Sequence, residues 1–159
     1  MPHIINTDTT KYHAVFNQHI ISYDEPSISE GVHIHDTFEY NHFNEILDDS
    51  IKMLKSNGYK FDPSIYYIEL QRYNVNNKTK PRYDWHVDDD GPIKGNVISL
   101  IYYLRKDSTI KGGDLVFFRK KIKVKENMVI TFKGNKYHRA TDMSGYGVRD
   151  SIVVIFKRL

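Results

Sequence analysis

The sequence predicts a mainly β protein: a sandwich or barrel of antiparallel strands with one long helix packed on it. Three observations predict this. Twelve tyrosines and eight phenylalanines occur in 159 residues, together with many Ile and Val, and such residues favour strands. Only residues 39–57 carry a sustained helical period. From Ser64 onward the apolar segments are short and are separated by Gly, Asn, Asp or Lys clusters, the pattern of strands joined by turns.

Residues 1–31 read as short strands and loops. "YHAVFNQHIISY" is the best strand region there, and "DEPSISEG" is a turn. In "EYNHFNEILDDSIKMLKSN", Phe43, Ile46, Leu47, Ile51 and Leu54 recur at helical spacing and make one apolar face. Asp36 and Glu39 form a capping-box pattern ahead of this helix, and Asn57-Gly58 is its stop. The predicted strands that follow are "SIYYIELQRY", "NVISLIYYL", "GDLVFF", "NMVITF" and "SIVVIF". "FFRKKIKVKE" reads as a hairpin with an exposed lysine edge. Between Tyr73 and Tyr83 lies the polar stretch "NVNNKTKPR", read as a flap beside the barrel mouth.

Composition narrows the function classes. There are no cysteines, which excludes disulfides, thiolate metal sites and cysteine nucleophiles. No secretory signal pattern and no apolar run of membrane-spanning length is visible, so an intracellular, cytoplasmic protein is expected. The net charge of +3 is unevenly spread, with acids in the first third and bases in the last. The two ends packing against each other explain this; a basic face for an anionic partner explains it equally in kind. The packing explanation is preferred.

The stretch "YDWHVDDDG", residues 83–91, carries the first chemical signal. On a strand, His86 and Asp88 point to the same side. One imidazole and one carboxylate make two ligands of a divalent-metal site, and His138 in "GNKYHRA" is the natural third. Two histidines and a carboxylate form the facial triad of non-haem Fe(II) oxygenases. Asp89, Asp90 and Gly91 read as the solvated turn that ends the strand. Eleven residues after His138 stands Arg149, with Ser151 two further on. A guanidinium beside a hydroxyl on one strand face is a carboxylate clamp; the alternative is an exposed arginine paired with Asp142 or Asp150.

With these residues in view, residues 64–159 resemble the Fe(II)/2-oxoglutarate-dependent dioxygenases, whose fold is the double-stranded β-helix, or jelly roll. "ISLIYYLRKDSTIKGGDLVFF" is similar to a strand pair of the prolyl-hydroxylase branch. The resemblance implies a mainly β (α+β) jelly roll with one long supporting helix. It implies a single domain over 1–159, with 1–63 as N-terminal strands and helix and 64–159 as the core. His86, Asp88 and His138 would hold Fe(II). Arg149 would meet the distal carboxylate of 2-oxoglutarate, assisted by Ser151 and by the hydroxyl of Tyr103. Tyr73 and Tyr83 match aromatic positions near the iron and cofactor, whereas Tyr102 reads as core. The implied cofactors are Fe(II) and 2-oxoglutarate, with O2 as co-substrate and ascorbate as an accessory reductant.

The implied activity is hydroxylation of a C–H bond, on a peptidyl residue such as proline, with release of succinate and CO2. A protein or peptide is therefore the expected partner. Trp85 and the 74–82 flap are expected to line the pocket mouth. Two other readings stay open: an oxygenase of a small molecule or nucleotide, and a non-enzymatic cupin-like binding module. Collagen-type prolyl hydroxylases have Lys where Arg149 stands, and hypoxia-type enzymes have Arg at a shorter spacing. AlkB-type demethylases add an arginine six residues later, where Ile155 stands here, which argues against nucleic acid. His33, His35 and Glu39 have the spacing of a cupin's first motif; His33 and His35 are read as structural or surface residues and as the alternative metal ligands.

Overall fold

The computed structural model describes residues 2–20, 32–34, 43–78 and 80–159. Among these described residues are ten strands: β1 (His3–Asn6), β2 (Val32–Ile34), β3 (Phe61–Val75), β4 (Tyr83–His86), β5 (Val97–Lys106), β6 (Leu115–Phe117), β7 (Lys120–Ile122), β8 (Met128–Lys133), β9 (His138–Ala140) and β10 (Gly147–Arg158). They form a major sheet ordered β1-β8-β5-β10-β3-β2 and a minor sheet ordered β4-β9-β6-β7, with every paired neighbour antiparallel. The α-helices among the described residues are α1 (His13–His19) and α2 (Asn44–Ser56). The chain is thus mainly β with a jelly-roll pair of sheets, as expected. No helix among the described residues is long and apolar enough to cross a membrane.

The period-2 alternation of the long central strands sorts their side chains onto two covered faces. Leu100, Tyr102, Ile152, Val154 and Phe156 join the helix-side core with Phe43, Ile46, Leu47 and Leu54 of the α2 region. Ile101, Tyr103, Val153 and Ile155 join the core between the sheets, with Leu115, Phe117, Ile130 and Phe132. Both faces being buried explains why β5 and β10 read as nearly continuous apolar runs.

The adjacent tyrosines illustrate the consequence. Tyr102 points to the helices, where its hydroxyl meets Ser50 Oγ at 2.6 Å. Tyr103 points into the space between the sheets.

Several expectations need correction in detail. The region predicted as a strand, "YHAVFNQHIISY", forms a 3-10 turn (Thr10–Tyr12) and α1 over its described part; residues 21–23 lie outside the described residues. The physical reason is spacing. Tyr12, Val15, Phe16 and Ile20 recur at i, i+3, i+4 and i+8, and all pack on the helix-side core. The long helix is described from Asn44 and ends at Asn57-Gly58, where Gly58 has φ +78 and the Tyr59 amide bonds Leu54 O at 3.0 Å. The Asp36/Glu39 capping pattern lies outside the described residues, as do His35 and the side chain of His33.

The predicted flap is built in at its two ends: Asn74 and Val75 extend β3, and the Pro81 carbonyl accepts the Met143 amide at 2.9 Å. The hairpin reading is borne out by β6 and β7, with Lys120 and Lys121 exposed on the edge strand. The two ends of the chain do pack together, β1 pairing with β8, but no ion pair among the described residues joins the first third to the last. Lys11 pairs with Glu45 and Asp49 within the first third, and Lys121 with Asp114 within the last.

Candidate metal centre

His86 ends β4 and His138 begins β9, and the two are directly paired across the minor sheet. Residues opposite one another in an antiparallel pair share a face, which brings the rings to a centroid separation of 4.1 Å. Asp88 lies beyond the end of β4 and is held by a different device. Its amide donates to Gly134 O at 2.8 Å, in the turn between β8 and β9. Asp88 Oδ1 then stands 3.5 Å from His86 Nε2 and 3.5 Å from His138 Nε2. The three ligand atoms lie within 4.8 Å of one another. Donors about 2.1 Å from one shared ion sit about 3 Å apart in cis positions, so a small inward movement completes the set.

The surroundings leave these three atoms pointing inward. His86 Nδ1 bonds Asp84 O at 2.7 Å, and His138 Nδ1 bonds Lys136 O at 2.8 Å. A carbonyl only accepts, so each Nδ1 carries a proton, and in the neutral imidazole the lone pair is then on Nε2. Burial, and then the neighbouring His138, hold the His86 imidazole below its ordinary value, favouring the neutral form. Ser99 Oγ donates to Asp88 Oδ2 at 2.6 Å, which leaves Oδ1 for an ion. Phe132 and Phe117 pack on the His138 ring at 4.7 and 5.8 Å, and Tyr83 packs on His86 at 4.1 Å.

The triad opens into a pocket of about 490 Å³, part of it open to solvent. Arg149 lines it and is 3% exposed. Its partner is neither Asp142 nor Asp150, since Asp150 pairs with Arg72 at 2.7 Å on the other face. One Arg149 nitrogen, Nη2, donates to Gly113 O at 3.0 Å, while Nε has no hydrogen-bond partner. The guanidinium stands over the rings of Tyr103 and Tyr73, 4.9 and 5.2 Å from their centroids. Burial pushes the Tyr103 phenol up to about 12, against the pull of Arg149, and raises Tyr73 as well. Both hydroxyls are therefore protonated donors at neutral pH. A buried cation with an orphaned N–H beside phenolic donors fits an anionic guest.

Ser151 also lines the pocket, and its hydroxyl donates to Gln71 Oε1 at 3.2 Å. Tyr73, Tyr83 and Tyr103 line the pocket too. Trp85 does not: it is 49% exposed on the outer side of β4, beside Arg139. Alternation explains this, because Trp85 is the neighbour of inward-facing His86.

Three pocket or support residues escaped the sequence reading: Ser99, Gln71 and Glu69, the last accepting from Gln71 Nε2 at 3.1 Å. Their signal was the strand period. Ser99 is in register with Ile155, and Gln71 with Ser151, so each faces the same space as residues already singled out.

Comparison with known proteins agrees with this geometry. No curated protein matches the chain significantly. Among solved structures, a viral collagen prolyl hydroxylase from Paramecium bursaria Chlorella virus-1, in its 2OG complex, is 16% identical. The match has a TM-score of 0.71 over 99% of this chain and 96% of that one. A prolyl-4-hydroxylase from Pseudomonas putida is 11% identical, with a TM-score of 0.65 over 99% and 92% of the two chains. A Trichoplax adhaerens prolyl hydroxylase, complexed with a hypoxia inducible factor oxygen degradation domain peptide fragment, is 13% identical. It gives a TM-score of 0.61 over 99% and 83%.

These likenesses show the fold. The model of the 2OG-Fe(II) oxygenase superfamily matches residues 68–157, more than half of the chain. Its cofactors, Fe(II) and 2-oxoglutarate, suit the two-histidine, one-carboxylate cluster at the head of the pocket. On that match, the chain belongs to the 2OG-Fe(II) oxygenase superfamily.

Proposed function

We propose that this oxygenase hydroxylates a residue within a peptide or protein, proline being the leading candidate. The observation that carries the reading is the division of one pocket. A triad of two histidines and a carboxylate stands at one place, and a buried arginine with an unsatisfied N–H at another. The peptide assignment is supported by fold neighbours that are a collagen prolyl hydroxylase and a prolyl hydroxylase in complex with a peptide fragment.

In this reading His86, Asp88 and His138 hold Fe(II), and Arg149 with the Tyr103 hydroxyl binds the distal carboxylate of 2-oxoglutarate. Ser151 and Tyr73 complete that end of the pocket, and Tyr83 borders the iron on the His86 side. When bound, the metal and 2-oxoglutarate supply O2-dependent oxidation of a C–H bond, with succinate and CO2 as by-products. The chain positions and shields. Ser99 orients Asp88, and the two Nδ1 bonds fix the imidazoles. Ile101, Leu115, Val153 and Ile155 form an apolar wall that limits water.

The test is incubation of the Fe(II)-loaded protein with 2-oxoglutarate, O2 and a proline-containing peptide library. Succinate should form in step with peptides that gain one oxygen atom, and His86→Ala should abolish both. Turnover of free amino acids or nucleotides alone would overturn the peptide assignment. Oxygenation that persists in His86→Ala would overturn the site.

A further inference from the structure

A second concavity lies on the far side of His138. Tyr59, Phe117, Phe118, Phe132 and Tyr137 form the apolar part of a groove of about 920 Å³, open to solvent. No residue lines both the groove and the iron pocket. Phe117 and Phe132 separate the two, since both pack on the His138 ring. Phe118 is 78% exposed and Tyr137 63% exposed. Large aromatic side chains gathered this openly in one concavity mark an interaction surface more often than scattered exposure does.

The charges around the groove have one sign. Arg119 in the β6–β7 turn and Lys120 at the start of β7 line it, as do Lys133 at the end of β8 and Lys136 in the β8–β9 turn. Among the described residues no acid lines the groove, and none of these four cations makes an ion pair. Two cationic banks with an aromatic floor between them suit one apolar side chain flanked by carboxylates. Single-stranded nucleic acid suits the arrangement less well. It needs cations tracking a line of phosphates and open ring faces for stacking. Here the Arg119 guanidinium already stands 5.3 Å over the Phe118 ring.

We propose that this groove docks an acidic peptide segment through an apolar anchor side chain, at a site separate from the iron pocket. The turn after Lys133 that supplies Lys136 and Tyr137 also supplies the carbonyls of Gly134 and Lys136, which hold Asp88 and His138. The docked segment therefore lies one backbone away from two candidate metal ligands. Docking does not depend on the oxygenase reading, because it is measured as binding.

The experiment is fluorescence anisotropy with the full chain. The probe is a labelled nonapeptide carrying a central tryptophan flanked by aspartate and glutamate. The comparison probes replace the tryptophan by alanine, replace the acids by lysine, or are a labelled single-stranded oligothymidylate. The acidic tryptophan peptide should bind saturably and weaken with salt. The other probes should bind at least about tenfold more weakly, and Phe118→Ser should cost a similar factor. Lys133→Glu/Lys136→Glu should shift preference to the lysine peptide, and it covers the case in which Phe118→Ser fails to fold. Tighter binding of oligothymidylate would overturn the proposal in favour of nucleic acid. Absence of acidic-peptide binding by folded protein, or binding unchanged in both variants, would overturn it outright.

Discussion

Removing one buried hydroxyl should loosen the metal centre without touching a metal ligand. Ser99 is fully buried, and its Oγ donates to Asp88 Oδ2 at 2.6 Å. In Ser99→Ala the carboxylate loses a charge-assisted bond worth about 1.5–3 kcal/mol. It also loses the constraint that turns Oδ1 toward the two Nε2 atoms. One factor of ten corresponds to about 1.4 kcal/mol, so metal affinity should fall about 10- to 100-fold, in the range known for supporting groups around metal ligands. The assay is an anaerobic Co(II) or Fe(II) titration against a competing chelator, with circular dichroism to confirm the fold. Thr131→Val is the control. It removes a buried hydroxyl from the neighbouring strand β8 that has no hydrogen-bond partner, so metal affinity should stay at the wild-type value. A Ser99→Ala affinity within about threefold of wild type would refute the view that this hydroxyl orients Asp88.

Four further outcomes are expected. Arg149→Gln should raise the apparent KM for 2-oxoglutarate by at least about 30-fold, the equivalent of about 2 kcal/mol for a buried charge pair, while leaving Co(II) affinity intact. Equal losses of metal and 2-oxoglutarate binding would instead show a collapsed pocket. Tyr102→Phe should cost about 1 kcal/mol of stability by chemical denaturation and spare 2-oxoglutarate binding, whereas Tyr103→Phe should weaken that binding. A Cβ at Gly134 would lie 2.2 Å from Val97 Cγ2. Gly134→Ala should therefore destabilise by about 1–3 kcal/mol, read as a lower Tm. Asp107 is held below the usual carboxylate range by the hydrogen bond from Arg105, with the Val148 amide adding to it against burial. A depressed folded-state pKa contributes stability that is present above the unfolded value, about 3.9, and is lost as pH falls through the folded one. Asp107→Asn should flatten the acid limb of a Tm-against-pH profile, and parallel profiles would count against the assignment.

Much of the candidate site was legible because strand chemistry is local. The period-2 rule places His86 opposite in orientation to Trp85, and Tyr103 opposite to Tyr102, whatever the rest of the chain does. The same rule marked "NVISLIYYL" and "SIVVIF" as strands, and spacing marked the helix around Ile46 to Leu54. It was less reliable for residues 12–20, where Tyr12, Ala14 and Phe16 satisfy a strand pattern while Tyr12, Val15, Phe16 and Ile20 satisfy a helical one. Only the covered underside of the major sheet decided between them.

What the sequence determined by itself was the chemical inventory: no thiol, one HxD pair, a distant histidine, and an arginine with a serine at i+2. Pairing across strands decided the rest. His138 meets His86 because β9 pairs with β4, and Asp88 joins them because its amide reaches Gly134 O. Arg149 is orphaned at Nε because β10 runs through the middle of the major sheet, where Tyr73 and Tyr103 cover it from both neighbouring strands. Ser99 and Gln71 acquired their roles in the same way, and neither has a local motif. Their partners lie 11 and 80 residues away along the chain, distances over which side-chain contact is set by strand order and register alone.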